Sequence, residues 1–441
     1  MGQRLKSPSM LHTSTRSKIL PGFVSLAIFL FFAMMLSVPR GYAVGAIMLF
    51  LASLYYLASR PRIVLQRADK ILIGLFLAVF LAGLISWLYH GNEMASLDLS
   101  TRYLMAVPIF LLLLAHPPRL EWLWGGMIVG CMSAAGLAAW QVWIHQNSRA
   151  FGFTGGIQFG DIALMMAVLC SAGLAWAVRL DRRAWLWRAA LLLGTLSGLY
   201  ASVMSGTRGG WITLPIVLMV FGAAYLRRSN LSLVIAVCVT LIVGGLVALA
   251  TVPMVQERYN EALTDVQKFQ KGNSNTSIGN RFEMWEALTV IIPQKPWMGW
   301  SDTDYNAEKE RLIKAQVLAP VAGRLANTHN MFLETWVHQG LLGLVTLAAL
   351  LLATLLHFGR HLRCPDPFTQ LHSIAGVALV SCYIIFGQTQ IILGRNNTLL
   401  FFIITLSVFW SVMRSSQAVS SSCRCTSRSR LDKERNQQDH D

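Results

Sequence analysis

Apolar runs of about 17–25 residues recur along nearly the whole chain, and each is long enough to cross a hydrocarbon core of roughly 30 Å as a helix. Backbone groups in lipid must bond internally, so only helices or a closed barrel can span it, and the runs lack the period-2 alternation of barrel strands. The composition agrees: 54% of the 441 residues are hydrophobic and 13% charged, where a soluble domain carries about 25% charge. The sequence therefore predicts an all-α polytopic membrane protein.

Twelve spanning helices are expected, at 19–38, 41–58, 70–89, 102–116, 122–144, 158–178, 186–204, 210–226, 231–254, 329–356, 370–389 and 396–413. The shortest, 102–116, has the length of a re-entrant segment, and charge parity tests it. With twelve spans and the N-terminus inside, most of the 37 lysines and arginines fall in cytoplasmic segments. The short outer loops hold only Arg40, Arg102, Arg149, Arg208 and Arg395. Dropping the fourth span would move the later basic clusters outside, against the positive-inside rule. The organisation is then a cytoplasmic tail (1–18), nine helices (19–254), a long periplasmic loop with short helices (255–328), three helices (329–413) and a disordered cytoplasmic tail (414–441).

Nucleic acid is excluded as a partner. The formal net charge of +16 comes from residues scattered between apolar runs, which topology explains, and no basic stripe is formed. The seven cysteines lie in apolar runs or on the cytoplasmic side, so no disulfide or metal framework follows. The first apolar run is not closed by a small-residue cleavage site and is read as a retained helix.

Polar residues near the outer membrane surface are costly to bury without a purpose, and three segments carry them. Ser205-Gly206-Thr207-Arg208-Gly209-Gly210-Trp211 is a small-residue hinge between two spans. Its glycines let a diphosphate approach the backbone, and Arg208 offers bidentate contacts to phosphate; the same arginine in a tight turn could simply snorkel to headgroups. Gly279-Asn280-Arg281-Phe282-Glu283-Met284-Trp285 opens an amphipathic helix in the long loop, with Arg281 either facing a ligand or paired with Glu283 or Glu286. Thr328-His329-Asn330, leading to Glu334, His338 and Gly340, marks the return of the loop into the membrane. Glu334 and His338 are four apart on one helix face, so the carboxylate can orient the imidazole, and a histidine titrating near neutrality suits a general base for a sugar hydroxyl. His338 as a polar strut between helices is the competing reading. His329 lies nine residues away from His338, about 13 Å along a helix, and points elsewhere unless the helix starts later. Asp161 and Arg395 are weaker candidates, and Trp297 and Trp300 are possible sugar-stacking surfaces.

These segments, together with Pro296-Trp297-Met298-Gly299-Trp300 and Gly340-Leu341-Leu342-Gly343, resemble in order and topology the O-antigen ligase and polymerase family of bacterial membrane glycosyltransferases, over roughly 70–410. The resemblance implies a GT-C-like helical fold in the inner membrane, both termini cytoplasmic and the active site periplasmic. It implies transfer of a preassembled O-antigen from undecaprenyl diphosphate to lipid A–core oligosaccharide, completing lipopolysaccharide, among membrane lipids. The family's two functional arginines fall on Arg208 and Arg281, and its histidine on the His329 block. Relatives often carry an acidic residue before the Gly-x-x-Gly stretch, where this chain has His338, so the base is His329 or His338. No Asp-x-Asp-like cluster or Walker loop occurs in the outer segments, so the expected reaction is inverting and needs neither metal nor ATP. An O-antigen polymerase, a protein-directed oligosaccharyltransferase and a lipid-linked oligosaccharide flippase remain as alternatives.

Overall fold

The computed structural model describes residues 16–91, 93–180, 184–225, 253–271, 276–318, 320, 323 and 327–438. Every regular element among them is helical. The helices are α1 (Arg16–Ala33), α2 (Gly41–Ala58), α3 (Arg67–His90), α4 (Asp98–Ala115), α5 (Leu120–Ala139), α6 (Gly156–Ala177), α7 (Ala184–Ser205), α8 (Arg208–Trp211), α9 (Thr213–Tyr225), α10 (Pro253–Gln270), α11 (Ser277–Ile291), α12 (Asp302–Lys314), α13 (Met331–Gly359), α14 (Pro367–Thr389) and α15 (Asn396–Gln438).

Ten stretches among the described residues are long and apolar enough to cross a membrane, and Ile19–Ala33 is a shorter apolar helix. Eleven of the twelve expected spans are thus helical where the sequence placed them; the ninth, 231–254, lies almost entirely outside the described residues. The short fourth span is lengthened by a 3-10 turn at Met94–Leu97, giving a continuous Met94–Ala115 stretch of 22 residues.

α6 and α14 sit at the centre, with 83% and 78% of their most apolar windows buried, against 28–39% for most of the others. α15 shares that core, and α6 packs on α7, α14 on α13 and α15. Lipid tails are as apolar as leucine, so helices associate through close packing, and small residues at the crossings permit it. A Cβ at Gly198 would come within 2.8 Å of the Ala163 carbonyl, and one at Gly376 within 2.4 Å of the Phe358 ring.

At the end of the bundle away from the long loop, α3 and α15 are joined by charge. Asp69, 1% exposed, accepts from Trp410 Nε1 at 3.0 Å and from the Gln66 amide at 2.8 Å, and pairs with Arg414. α15 then continues to Gln438. No proline or glycine occurs between 396 and 438 to stop the helix.

The long loop folds onto the mouth of α13. Its small core gathers Ala287, Leu288, Ile291, Trp300, Tyr305 and Leu312 around Val337 of α13. The turn Pro296–Trp300 inserts where α13 breaks at Gly340 (φ 64, ψ −167), a region open almost only to glycine. Leu341 N donates to Pro296 O at 2.8 Å and Trp300 N to Val337 O at 2.7 Å. Gly340 has no room for a side chain, since a Cβ there would lie 2.0 Å from Trp297 O. The two glycine-bearing motifs, distant in sequence, are the two halves of one joint.

Candidate active site

The hinge carrying Arg208 is held from below by α6. Ser205 and Thr207 hydroxyls bond each other at 2.8 Å, and Thr207 Oγ1 donates to Gly156 O at 3.0 Å. Gly206 (φ 65) makes the turn. Gly209 and Gly210 let the next turn seat tightly: added Cβ atoms would meet Thr389 Oγ1 at 2.5 Å and Asp161 Oδ1 at 2.7 Å. Arg208 is thereby fixed in place, and its guanidinium lies 3.5 Å from Glu261 of the loop helix α10.

Arg281 stands in the first turns of α11, whose N-cap is Thr276, accepting from Gly279 N at 3.0 Å. α11 is tied to the mouth of α13 by Trp285 Nε1, which donates to Thr328 O at 2.9 Å. Burial lowers the pKa of the Arg281 guanidinium, and the neighbouring charge of Arg208 lowers it further; an arginine so shifted still keeps its proton at neutral pH. Arg281 thus feels the charge of Arg208, from a segment about 70 residues away, while Glu261 stands beside Arg208.

His329 completes the group. α13 begins at Met331, two residues later than expected, because Asn330 caps it: Asn330 Oδ1 accepts from Phe332 N at 2.9 Å and Leu333 N at 3.1 Å. His329 consequently sits outside the helix in a left-handed conformation (φ 51), which few non-glycine residues adopt. Its Nδ1 lies 3.1 Å from Gln390 Oε1. Burial chiefly, and then the Arg281 charge, lower its pKa, while the Gln390 bond and Glu334 oppose the shift. The imidazole is held towards its neutral form.

His338, the other histidine, is held chiefly through Nδ1. Nδ1 lies 3.3 Å from Trp300 O and 3.2 Å from Asp302 Oδ1, and Nε2 lies 3.8 Å from Glu334 Oε1. Tyr305 meets its ring edge-on at 5.3 Å. His338 contacts the loop through Trp300 and Asp302. Glu334 lies between the two histidines, but its firmer contact is Oε2 accepting from Thr328 N at 2.9 Å, so it braces the backbone that presents His329.

The expectation for Trp300 is corrected. Trp300 is not a sugar platform: it is 7% exposed, its indole N–H donates to Ile291 O at 3.2 Å, and Lys295 Nζ sits 4.2 Å over its ring. Trp297 is 70% exposed. Asp161 is buried beneath Gly210. Several residues at the site went unnoticed in the sequence. Lys309, 2% exposed, lies 4.6 Å from the Tyr305 ring; burial lowers its pKa and Glu334 partly restores it. The recurrence of Tyr305, Lys309 and Leu312 on one helix face was a legible signal. Asp302, Gln388 and Gln390 carried none. Beside Glu334 and His338 opens a cleft of about 240 Å³, lined also by Ser100, Tyr103, Thr335 and Gln339.

A polytopic helical membrane protein whose folded loop packs the Arg281 helix against the mouth of α13, beside His329, is the class defined here. Residues 189–348, which span the hinge, the loop and both histidines, match the family model described as O-antigen ligase. An uncharacterised protein of Haemophilus influenzae (strain ATCC 51907 / DSM 11121 / KW20 / Rd) is 28% identical over 396 residues, covering 88% of this chain and 97% of that protein. The O-antigen ligase of Escherichia coli (strain K12) is 25% identical over 213 residues, 48% of this chain and 49% of its own length. Over its middle portion the chain is therefore similar to O-antigen ligases.

Proposed function

We propose that the protein is an O-antigen ligase, transferring a preassembled glycan from undecaprenyl diphosphate to lipid A–core oligosaccharide at the periplasmic face of the inner membrane. The observation that carries this reading is that Arg281 lies within electrostatic reach of both Arg208 and His329, three residues drawn from separate segments.

A diphosphate is already a good leaving group, so the site has two tasks: to stabilise charge on the departing oxygens and to accept the proton of the incoming hydroxyl. Arg208 and Arg281 take the first, each able to hold phosphate oxygens through a planar fork. His329 takes the second, because burial and Arg281 both favour the neutral imidazole that a base requires. The acceptor hydroxyl attacks the anomeric carbon as the bond to the diphosphate breaks. The leaving oxygen keeps the bonding electrons, the proton passes to His329, and direct displacement inverts the anomeric centre. Arginine charge serves where other transferases employ a metal, so the reaction is proposed to need neither metal nor ATP. His338 and Glu334 support the loop and the backbone around His329.

Purified protein reconstituted in vesicles with a glycan–undecaprenyl diphosphate and lipid A–core, in the presence of a chelator, tests the proposal. Joining of the two substrates is expected, and the combined Arg208→Ala and Arg281→Ala variant should lose at least about 10³-fold in rate, as preorganised charge is usually the largest catalytic contribution. Lengthening of the donor alone would make the protein a polymerase, and movement without bond formation a transporter. Undiminished joining by the double variant would overturn the arginine assignment, and loss of activity on chelation the metal independence.

A further inference from the structure

The segment Gln388–Gln390, where α14 ends, docks side chains onto the His-Asn pair in front of α13. Asn330 Nδ2 donates to Gln388 Oε1 at 3.3 Å, and His329 Nδ1 faces Gln390 Oε1 at 3.1 Å. Gln390 is 9% exposed. Its backbone is fixed on both sides: its N–H donates to Phe386 O at 3.0 Å and its carbonyl accepts from Ile392 N at 2.9 Å. Thr389, the residue between the two glutamines, is the one against which Gly209 of the Arg208 hinge packs. One short segment thus touches both the diphosphate arginine's hinge and the histidine.

A neutral imidazole carries one N–H and one lone pair, and the partner of one nitrogen decides which nitrogen keeps the lone pair. We infer that Gln390 is a positioning residue for the transfer reaction: its side-chain oxygen accepts the Nδ1–H of His329, leaving the lone pair on Nε2 to take the proton of the acceptor hydroxyl. This inference rests on the assignment of His329 as base in the proposed function. Among the described residues His329 Nε2 makes no hydrogen bond. After proton transfer the imidazolium keeps its Nδ1–H on the same oxygen, so no rearrangement is needed at that side during turnover. An amide suits this place better than a carboxylate: it fixes the tautomer without adding a negative charge that would hold the ring protonated. The other charges facing the ring are Arg281 from α11 and Glu334 from α13, acting in opposite senses.

The test measures pH–rate profiles of the reconstituted protein and of His329→Ala, Gln390→Leu and Gln390→Glu, each normalised to folded protein by its thermal transition. The wild-type rate should fall in acid only below the ordinary histidine range of about 6.5, since the neutral form is active and its pKa is lowered. Gln390→Glu, nearly isosteric, places a carboxylate on Nδ1 and should move that acid limb upward by about 1 pH unit or more. Gln390→Leu should lower kcat by about 10- to 100-fold, short of complete loss of the base, with KM within about twofold. A merely structural glutamine would leave the limb in place. If His329→Ala is inactive while the limb of Gln390→Glu stays within about 0.3 unit of wild type and Gln390→Leu keeps its kcat, the inference is overturned and the functional reading survives. If His329→Ala turns over normally, the base assignment itself fails.

Discussion

Two places in this molecule bury charge, and they do so in opposite ways. At the end of the bundle away from the loop, Asp69 meets an arginine, an indole N–H and a backbone amide, so a single carboxylate is compensated by three donors. At the loop end, Arg281 feels the like charge of Arg208, and Glu261, a solvent-accessible residue, lies 3.5 Å from Arg208. Buried ionic groups that are fully paired hold helices in register, whereas like charges gathered at a cleft mark where a ligand of opposite sign belongs. The first arrangement holds the fold, and the second is the one assigned to the chemistry under the proposed function, although both look like isolated charges within apolar sequence.

The comparison can be broken by variants that should separate stability from activity. Asp69→Ala should have the largest effect on stability, about 3–5 kcal/mol, because it leaves Arg414 partly buried without its partner. Thermal unfolding in detergent reads the loss, and rate per folded molecule should stay at the wild-type value; a selective fall in that rate would place Asp69 in the chemistry. Gly340→Ala comes next. It forces a side chain onto Trp297 O at a glycine-only conformation, costing about 1–3 kcal/mol, and should free Pro296–Trp300 to hydrogen exchange while α6 and α14 stay protected. Arg208→Lys keeps the charge but not the fork, and should lower kcat/KM about tenfold with no change in unfolding temperature. Glu261→Gln removes a competitor for the Arg208 guanidinium. An exposed pair of this kind is worth about 0–1 kcal/mol, so KM for the lipid diphosphate should fall by no more than about fivefold; a rise would instead make Glu261 part of the site.

Much of this was legible before any coordinates. Apolar run length located eleven spans, because the lipid core imposes a length on any helix that crosses it. The motifs around Arg208, Arg281 and His329 stood out because arginine and histidine are expensive near a membrane. How each histidine is held was not legible. Spacing alone favoured His338, four residues after Glu334, yet the helix starts at Met331 and His338 is taken up by Trp300, Asp302 and Glu334. Asn330 was visible as a polar residue but not as the cap that ejects His329 into a positive-φ turn. Gln390 lay unnoticed in an ordinary helix end.

By itself, then, the sequence determined the helical membrane architecture and the residue types able to handle a diphosphate and a hydroxyl, since hydropathy and the cost of burying charge act locally along the chain. The reach of the Arg208 charge to Arg281, the docking of Pro296–Trp300 into the break at Gly340, and the placing of Gln390 against His329 were decided only by tertiary structure. Each depends on side chains tens to hundreds of residues apart being packed into contact, and no local periodicity records such a meeting.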